Sequence, residues 1–181
     1  MGCDIHMYVE HRAKDHPEFG WRPFGGRISP GRDYCLFGYI AGVRSDVAPV
    51  VEQRGFPNDP AWTTKSENHL YINDKYANEG DEEYVTEAEA QSWVKSGCSK
   101  MIYARRDENG VAQGSDQVTH PDWHSHTWLT ADELEKAIEL ANVEYQKGNW
   151  GKVNIQYEAL LAAMRTLEKE DDVRVVIWFD N

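Results

Sequence analysis

Asp4 and His6 stand two residues apart in Cys3-Asp4-Ile5-His6-Met7-Tyr8-Val9-Glu10, and His124 and His126 repeat that spacing in Trp123-His124-Ser125-His126-Thr127-Trp128. Carboxylate and imidazole together supply acid–base chemistry near neutral pH, hydrogen bonds to a ligand, or the donors that zinc, manganese or iron accept. Side chains alternate between the faces of a strand. Asp4, His6, Tyr8 and Glu10 should therefore line one side while Cys3, Ile5, Met7 and Val9 pack on the other. A strand with a second face this polar and aromatic reads as the floor of a site. The repeated spacing leads to the expectation that Asp4, His6, His124 and His126 converge on one pocket, with Glu10 orienting the imidazoles.

Arginine is the second set of residues that carries chemistry. The chain of 181 residues has a formal net charge of -12, and the acidity is uneven. Residues 1–60 hold 7 Lys+Arg against 8 Asp+Glu, and six of those seven are Arg: Arg12, Arg22, Arg27, Arg32, Arg44 and Arg54. The remainder holds 12 against 23. A guanidinium reads phosphate and carboxylate with a planar fork, whereas the acidic remainder argues against duplex nucleic acid as a partner.

Three readings of these residues compete. In the first, Asp4, His6, His124 and His126 hold a divalent metal that activates water; the bridging carboxylate and Asn-His elements of a dinuclear phosphoesterase do not occur in the required order, since Asn68-His69 precedes Gly80-Asp81. In the second, Arg27, Arg32, Arg44 and Arg54 offer forks to phosphate oxygens, His6, His124 and His126 add hydrogen bonds, and Trp21, Tyr34, Trp123 and Trp128 offer flat faces for a base. The segment Gly20 to Gly31, rich in Gly and Pro, would be a loop able to close over such a ligand. It lacks the Gly-Lys-Ser/Thr ending of a phosphate loop. In the third, purely structural reading, the histidines bond neighbouring loops and the arginines pair with the acidic half.

The same residues carry a resemblance. The opening Met-Gly-Cys-Asp-Ile-His, the run Arg32-Asp33-Tyr34-Cys35-Leu36-Phe37 into Ala41-Gly42-Val43-Arg44, the block Arg54-Gly55-Phe56-Pro57-Asn58-Asp59, and His124-Ser125-His126-Thr127-Trp128-Leu129-Thr130 together resemble a family of small, uncharacterised phage and bacterial proteins. Phe56 stands where the family pattern has Leu. The resemblance spans residues 1 to about 135 and implies a phage or phage-like origin rather than an activity.

Several elements must position these residues. Thr130-Ala131-Asp132-Glu133 is a capping box opening a helix that Gly148 stops, and Val153, Tyr157, Leu160, Leu161, Met164 and Leu167 form the stripe of a second helix. The apolar run Val173 to Phe179 predicts a strand buried on both faces and lying near the first one. Asp33 caps a short helix over Tyr34 to Val43, with Gly38 and Gly42 weakening it. Thr86-Glu87-Ala88-Glu89 opens a further helix ending near Gly97, and Met101 to Ala104 is a strand that Asp107-Glu108-Asn109-Gly110 would return as a hairpin. Residues 45–80 and 111–123 read as long irregular loops. The sum is one α+β domain, residues 1–181, with a mostly antiparallel sheet and helices segregated to one face.

Cys3, Cys35 and Cys98 are odd in number and lack CxxC spacing, so they read as reduced thiols in a cytoplasmic protein of a bacterial host. No apolar run is long enough for a membrane span, and no basic-then-apolar signal segment opens the chain. The leading expectation is a phage-type accessory protein that binds and sequesters a small phosphorylated ligand, a nucleotide or cyclic-nucleotide immune signal. The alternatives are a phosphoester hydrolase in which His6 and His126 are catalytic and a divalent metal is the cofactor, and an acidic protein-binding inhibitor. A pocket built across subunits of a homo-oligomer stays open.

Overall fold

The alternating run at the start of the chain forms β1 (Asp4–Ala13). In the computed structural model, which describes residues 2–77, 83–106 and 112–181, β1 pairs antiparallel along its whole length with β8 (Asp171–Asp180), Asp4 opposite Asp180 and His6 opposite Trp178. On one flank β2 (Arg22–Pro23) pairs with β1, and on the other β7 (His124–Leu129) pairs with β8, giving the order β2-β1-β8-β7. Every pairing in this sheet is antiparallel.

Odd-numbered residues of both central strands face the helices. Ile5, Met7 and Val9 of β1, and Val173, Val175, Ile177 and Phe179 of β8, are buried in one core with α1 (Tyr34–Ala41), α4 (Ala131–Gly148) and α5 (Ile155–Leu167). The helices begin where their caps predict. Asp33 accepts from Leu36 N at 2.9 Å, and Thr130 closes a reciprocal capping box with Glu133. Both glycines that weaken α1 have a structural reason: Gly42 ends the helix at φ 68°, and a Cβ on Gly38 would stand 2.6 Å from the Ser45 side chain, so the following segment can lie against the helix only because Gly38 lacks one.

The chain groups into two compact units, Met1–Thr64 with His124–Asn181, and Lys65–Trp123. The second contains β3 (Leu70–Ile72), β4 (Tyr84–Val85), α3 (Glu87–Lys95), β5 (Lys100–Arg106) and β6 (Ala112–Val118). The sheet order is β4-β3-β6-β5, with β3 and β4 parallel. The Thr86 capping box forms as expected, and Leu70, Val85, Ala90 and Val118 make a small core with Trp93 and Trp123 packed against it.

Residues 112–118, read from sequence as loop, are strand β6, because β5 and β3 both bond to it and override a segment with little strand propensity. Residues 45–80 likewise contain β3 and the short helix α2 (Trp62–Glu67). The turn expected at Asp107–Gly110 lies outside the described residues. Among those described, no helix is long and apolar enough to cross a membrane.

Candidate functional site

The second face of the main sheet is built from even-numbered residues. Asp4, His6, Tyr8 and Glu10 of β1 share it with Arg174, Trp178 and Asp180 of β8, as strand alternation and the pairing register require. The Trp178 ring stacks between His6, at 5.2 Å and 13°, and Tyr8, at 5.0 Å and 6°. His126 lies on the same ring at 6.1 Å, and Phe56 meets both Trp178 and His126 edge-on. Trp178, Tyr8 and His6 are all buried, so this aromatic row is packed floor rather than open platform.

His124 does not join His126 on this face. Between His124 and Thr127 the register of β7 against β8 slips, and Ser125 takes a left-handed φ of 52°. The bulge inserts one residue and turns neighbours that a regular strand would align onto opposite faces. His124 instead stacks at 6.1 Å over Phe179, which packs edge-on against Phe37 of α1. A hydrogen bond of 3.0 Å joins its Nδ1 to Ser125 Oγ. The structure therefore brings Asp4, His6 and His126 onto one face and places His124 on the other.

The half-exposed end of the sheet, where β1 begins and β8 ends, gathers most of the remaining polar residues. His6 Nε2 bonds Asp180 Oδ2 at 2.7 Å, and Asp4 N donates to Asp180 Oδ1 at 3.2 Å. Arg32 holds both oxygens of Asp4, at 2.6 and 2.8 Å. Arg44, in a left-handed conformation at φ 57°, donates to Asn181 Oδ1 at 3.0 Å. Tyr34 caps the same end, its hydroxyl accepting from Cys3 N at 3.3 Å while its ring stays partly exposed. Backbone strain of this kind is retained where surrounding structure holds it, and it concentrates at functional sites.

Electrostatics at this end follow from the same contacts. Burial holds the His6 imidazole below its ordinary pKa; the Asp180 hydrogen bond opposes that shift and the charge of Arg27 adds to it. The Arg32 hydrogen bond keeps the Asp4 carboxyl below its usual range, with Arg27 again contributing. Burial raises the Cys3 thiol although Arg44 pulls it down, so it is protonated and a poor nucleophile at neutral pH. Arg27, exposed on the turn after β2, thus acts on both Asp4 and His6. Its position is set by the backbone of the Gly20–Gly31 segment, which is bonded to β1 through Phe24 N to Val9 O and Ile28 N to Met7 O, both at 2.8 Å. That segment is an edge partner of the sheet rather than a free flap.

The other expected ligand-binding residues are engaged elsewhere. Arg54 pairs with Glu133 and lies 4.1 Å over the Trp128 ring; Trp128 stands opposite Val176, well along β8 from Asp180. Trp21 is covered by Arg174 at 4.0 Å and by Arg12 at 4.7 Å. Trp123 belongs to the second unit and packs beside His120. Among the described residues, no group of three or more His, Cys, Asp or Glu side chains could hold a metal ion, since Asp4 is taken by Arg32, His6 by Asp180, and His124 faces away.

Asp180 and Asn181 are site residues that the sequence reading passed over. The available signal was parity. Arg174, Trp178 and Asp180 are spaced by even numbers along one strand, so a polar residue at 180 had to share the face of Trp178. No family model, curated protein or solved structure matches the chain.

Proposed function

We propose that the chain holds a small phosphorylated ligand at the end of its main sheet, where Arg27, Arg32 and Arg44 surround Asp4, His6 and Asp180, and sequesters it without turnover. The observation that carries the reading is the gathering of these three arginines. They come from the turn after β2, from the approach to α1 and from the segment after α1, and they act on one patch: Arg32 through Asp4, Arg27 through the charges of Asp4 and His6, Arg44 through Asn181 and Cys3. Guanidinium forks clustered at a solvent-reachable edge suit phosphate oxygens. The partly exposed ring of Tyr34 at the same edge gives a base a face to stack on, which favours a nucleotide, cyclic nucleotides included. In a phage-type accessory protein such a site would lower the free concentration of a host signal by mass action.

The His6–Asp180 hydrogen bond supports a second reading. An imidazole oriented by a carboxylate and held neutral is a general base, and beside three arginines it would suit phosphoester hydrolysis. One experiment separates the two. The full chain is incubated with a panel of mono-, di- and cyclic nucleotides, heat-denatured, and the released compound is identified by chromatography. Stoichiometric recovery of one intact nucleotide supports sequestration. Steady product that disappears in His6→Ala replaces it with hydrolysis, and failure to retain or convert any member of the panel refutes both.

A further inference from the structure

We infer that Asp4 is a built-in competitor at the anion site, and that a phosphate enters by exchanging with the Asp4 carboxylate on Arg32. The inference rests on the reading of this sheet end as a phosphate-binding site and names what governs entry to it. Arg32 meets Asp4 fork to fork, Nε on Oδ1 at 2.6 Å and Nη2 on Oδ2 at 2.8 Å. A phosphate would use that same pair of donors. The two side chains are 50% and 47% exposed, so the pair lies where an arriving anion can reach it and where water weakens its hold.

The two side chains are not equally engaged. Gly2 lies directly behind the guanidinium: a Cβ there would stand 2.0 Å from Arg32 Nη1 and 2.4 Å from Cζ. That contact falls on the far end of a flexible side chain and marks close approach only; what Arg32 has besides Asp4 is the Tyr34 hydroxyl, which favours its charged form. The Asp4 side chain, by contrast, has no hydrogen-bond partner other than Arg32 among the described residues. Rotation about its own Cα–Cβ bond suffices to release it, while its backbone stays fixed by Asp180 and the β1–β8 ladder. Asp4 is therefore the half of the pair that can leave, and Arg32 the half that keeps a second contact, at Tyr34.

Two consequences follow. The ligand's affinity is reduced by the share of molecules in which Asp4 occupies the fork, as for any site whose competent state is only partly populated. Asp4 also sets selectivity, because a simple carboxylate offers Arg32 no more than Asp4 already does. A phosphate brings further oxygens for Arg27 and Arg44, which act on the same patch.

The test is calorimetric titration of the full chain with inorganic phosphate and, separately, with acetate. Asp4→Asn keeps the side-chain shape, and Asp4→Ala removes the competing oxygens altogether; near-ultraviolet circular dichroism establishes that each is folded. Both variants should bind phosphate about fivefold more tightly than the parent, the worth of one half-exposed pair. Asp4→Ala should also acquire acetate binding, and Arg32→Ala should lose phosphate. Phosphate binding by the parent that neither Asp4 variant tightens overturns the competitor role and leaves the site standing. No phosphate binding by the parent or by either Asp4 variant removes the anion site, and the proposed function with it.

Discussion

Replacing Glu10 by Gln tests how far the buried Glu10–Arg174 ion pair, which also holds Asp59 and Ala61, stabilises the second sheet face. Glu10 is fully buried and Arg174 nearly so. One Glu10 oxygen accepts from Arg174 Nε at 2.7 Å and the other from Ala61 N at 2.6 Å. Gln preserves shape and one acceptor but removes the charge, leaving the Arg174 guanidinium buried with the largely exposed Asp59 carboxylate, at 3.1 Å, as its remaining anion. Breaking a buried pair from one side costs about 3–5 kcal/mol. Asp59 and the Trp21 ring at 4.0 Å still compensate the cation, so the expected loss is at the low end, about 3 kcal/mol. For a chain of this length that corresponds to a melting temperature lower by about 6–12 °C. Urea denaturation followed by tryptophan fluorescence gives the free energy, with Trp21 and Trp128 flanking Arg174 as reporters. The double replacement Glu10→Gln with Arg174→Met should be milder than Glu10→Gln alone, because no desolvated charge remains and Gln still accepts from Ala61 N. A Glu10→Gln loss under about 1 kcal/mol, the range of surface pairs, would refute the burial argument.

Asp33→Ala should cost about 2–3 kcal/mol in the same denaturation assay, since it removes the α1 cap and orphans the Tyr145 hydroxyl that donates to Asp33 at 2.7 Å; a loss no larger than a surface cap's would show that Tyr145 finds water instead. His6 and His69 are both held below their ordinary pKa by burial. The unfolded chain therefore binds protons there first, and the neutral-imidazole contribution is present above about pH 6.5 and lost as pH falls toward the lowered folded values. Stability should decline over that window, and His6→Gln should flatten the slope; a parent curve that is level across it counts against the burial assignment. Ser125→Gly should stabilise by up to about 1 kcal/mol by relieving the left-handed φ of 52°, and destabilisation would mean that the Ser125–His124 hydrogen bond outweighs the strain.

Local rules account for what could be read ahead of the fold. The alternation in β1 separated Ile5, Met7 and Val9 from His6, Tyr8 and Glu10 because a strand offers each side chain only two directions. Asp33, Thr86 and Thr130 started their helices because a side-chain oxygen must satisfy amides that lack a partner within the helix. β6 escaped that reading because its strand state depends on β3 and β5 rather than on its own residues.

The sequence alone determined which residue types were available and which face of β1 they would occupy. Tertiary structure decided their partners. Asp4 meets Arg32 across 28 residues, His6 meets Asp180 across 174, and Arg54 meets Glu133 across 79, so no spacing rule could have shown that carboxylates of the same chain occupy the arginine forks. It also decided that His124 and His126 part company, because the bulge at Ser125 is a property of how β7 lies on β8. A period of two holds only while the ladder is regular, and one inserted residue reverses it.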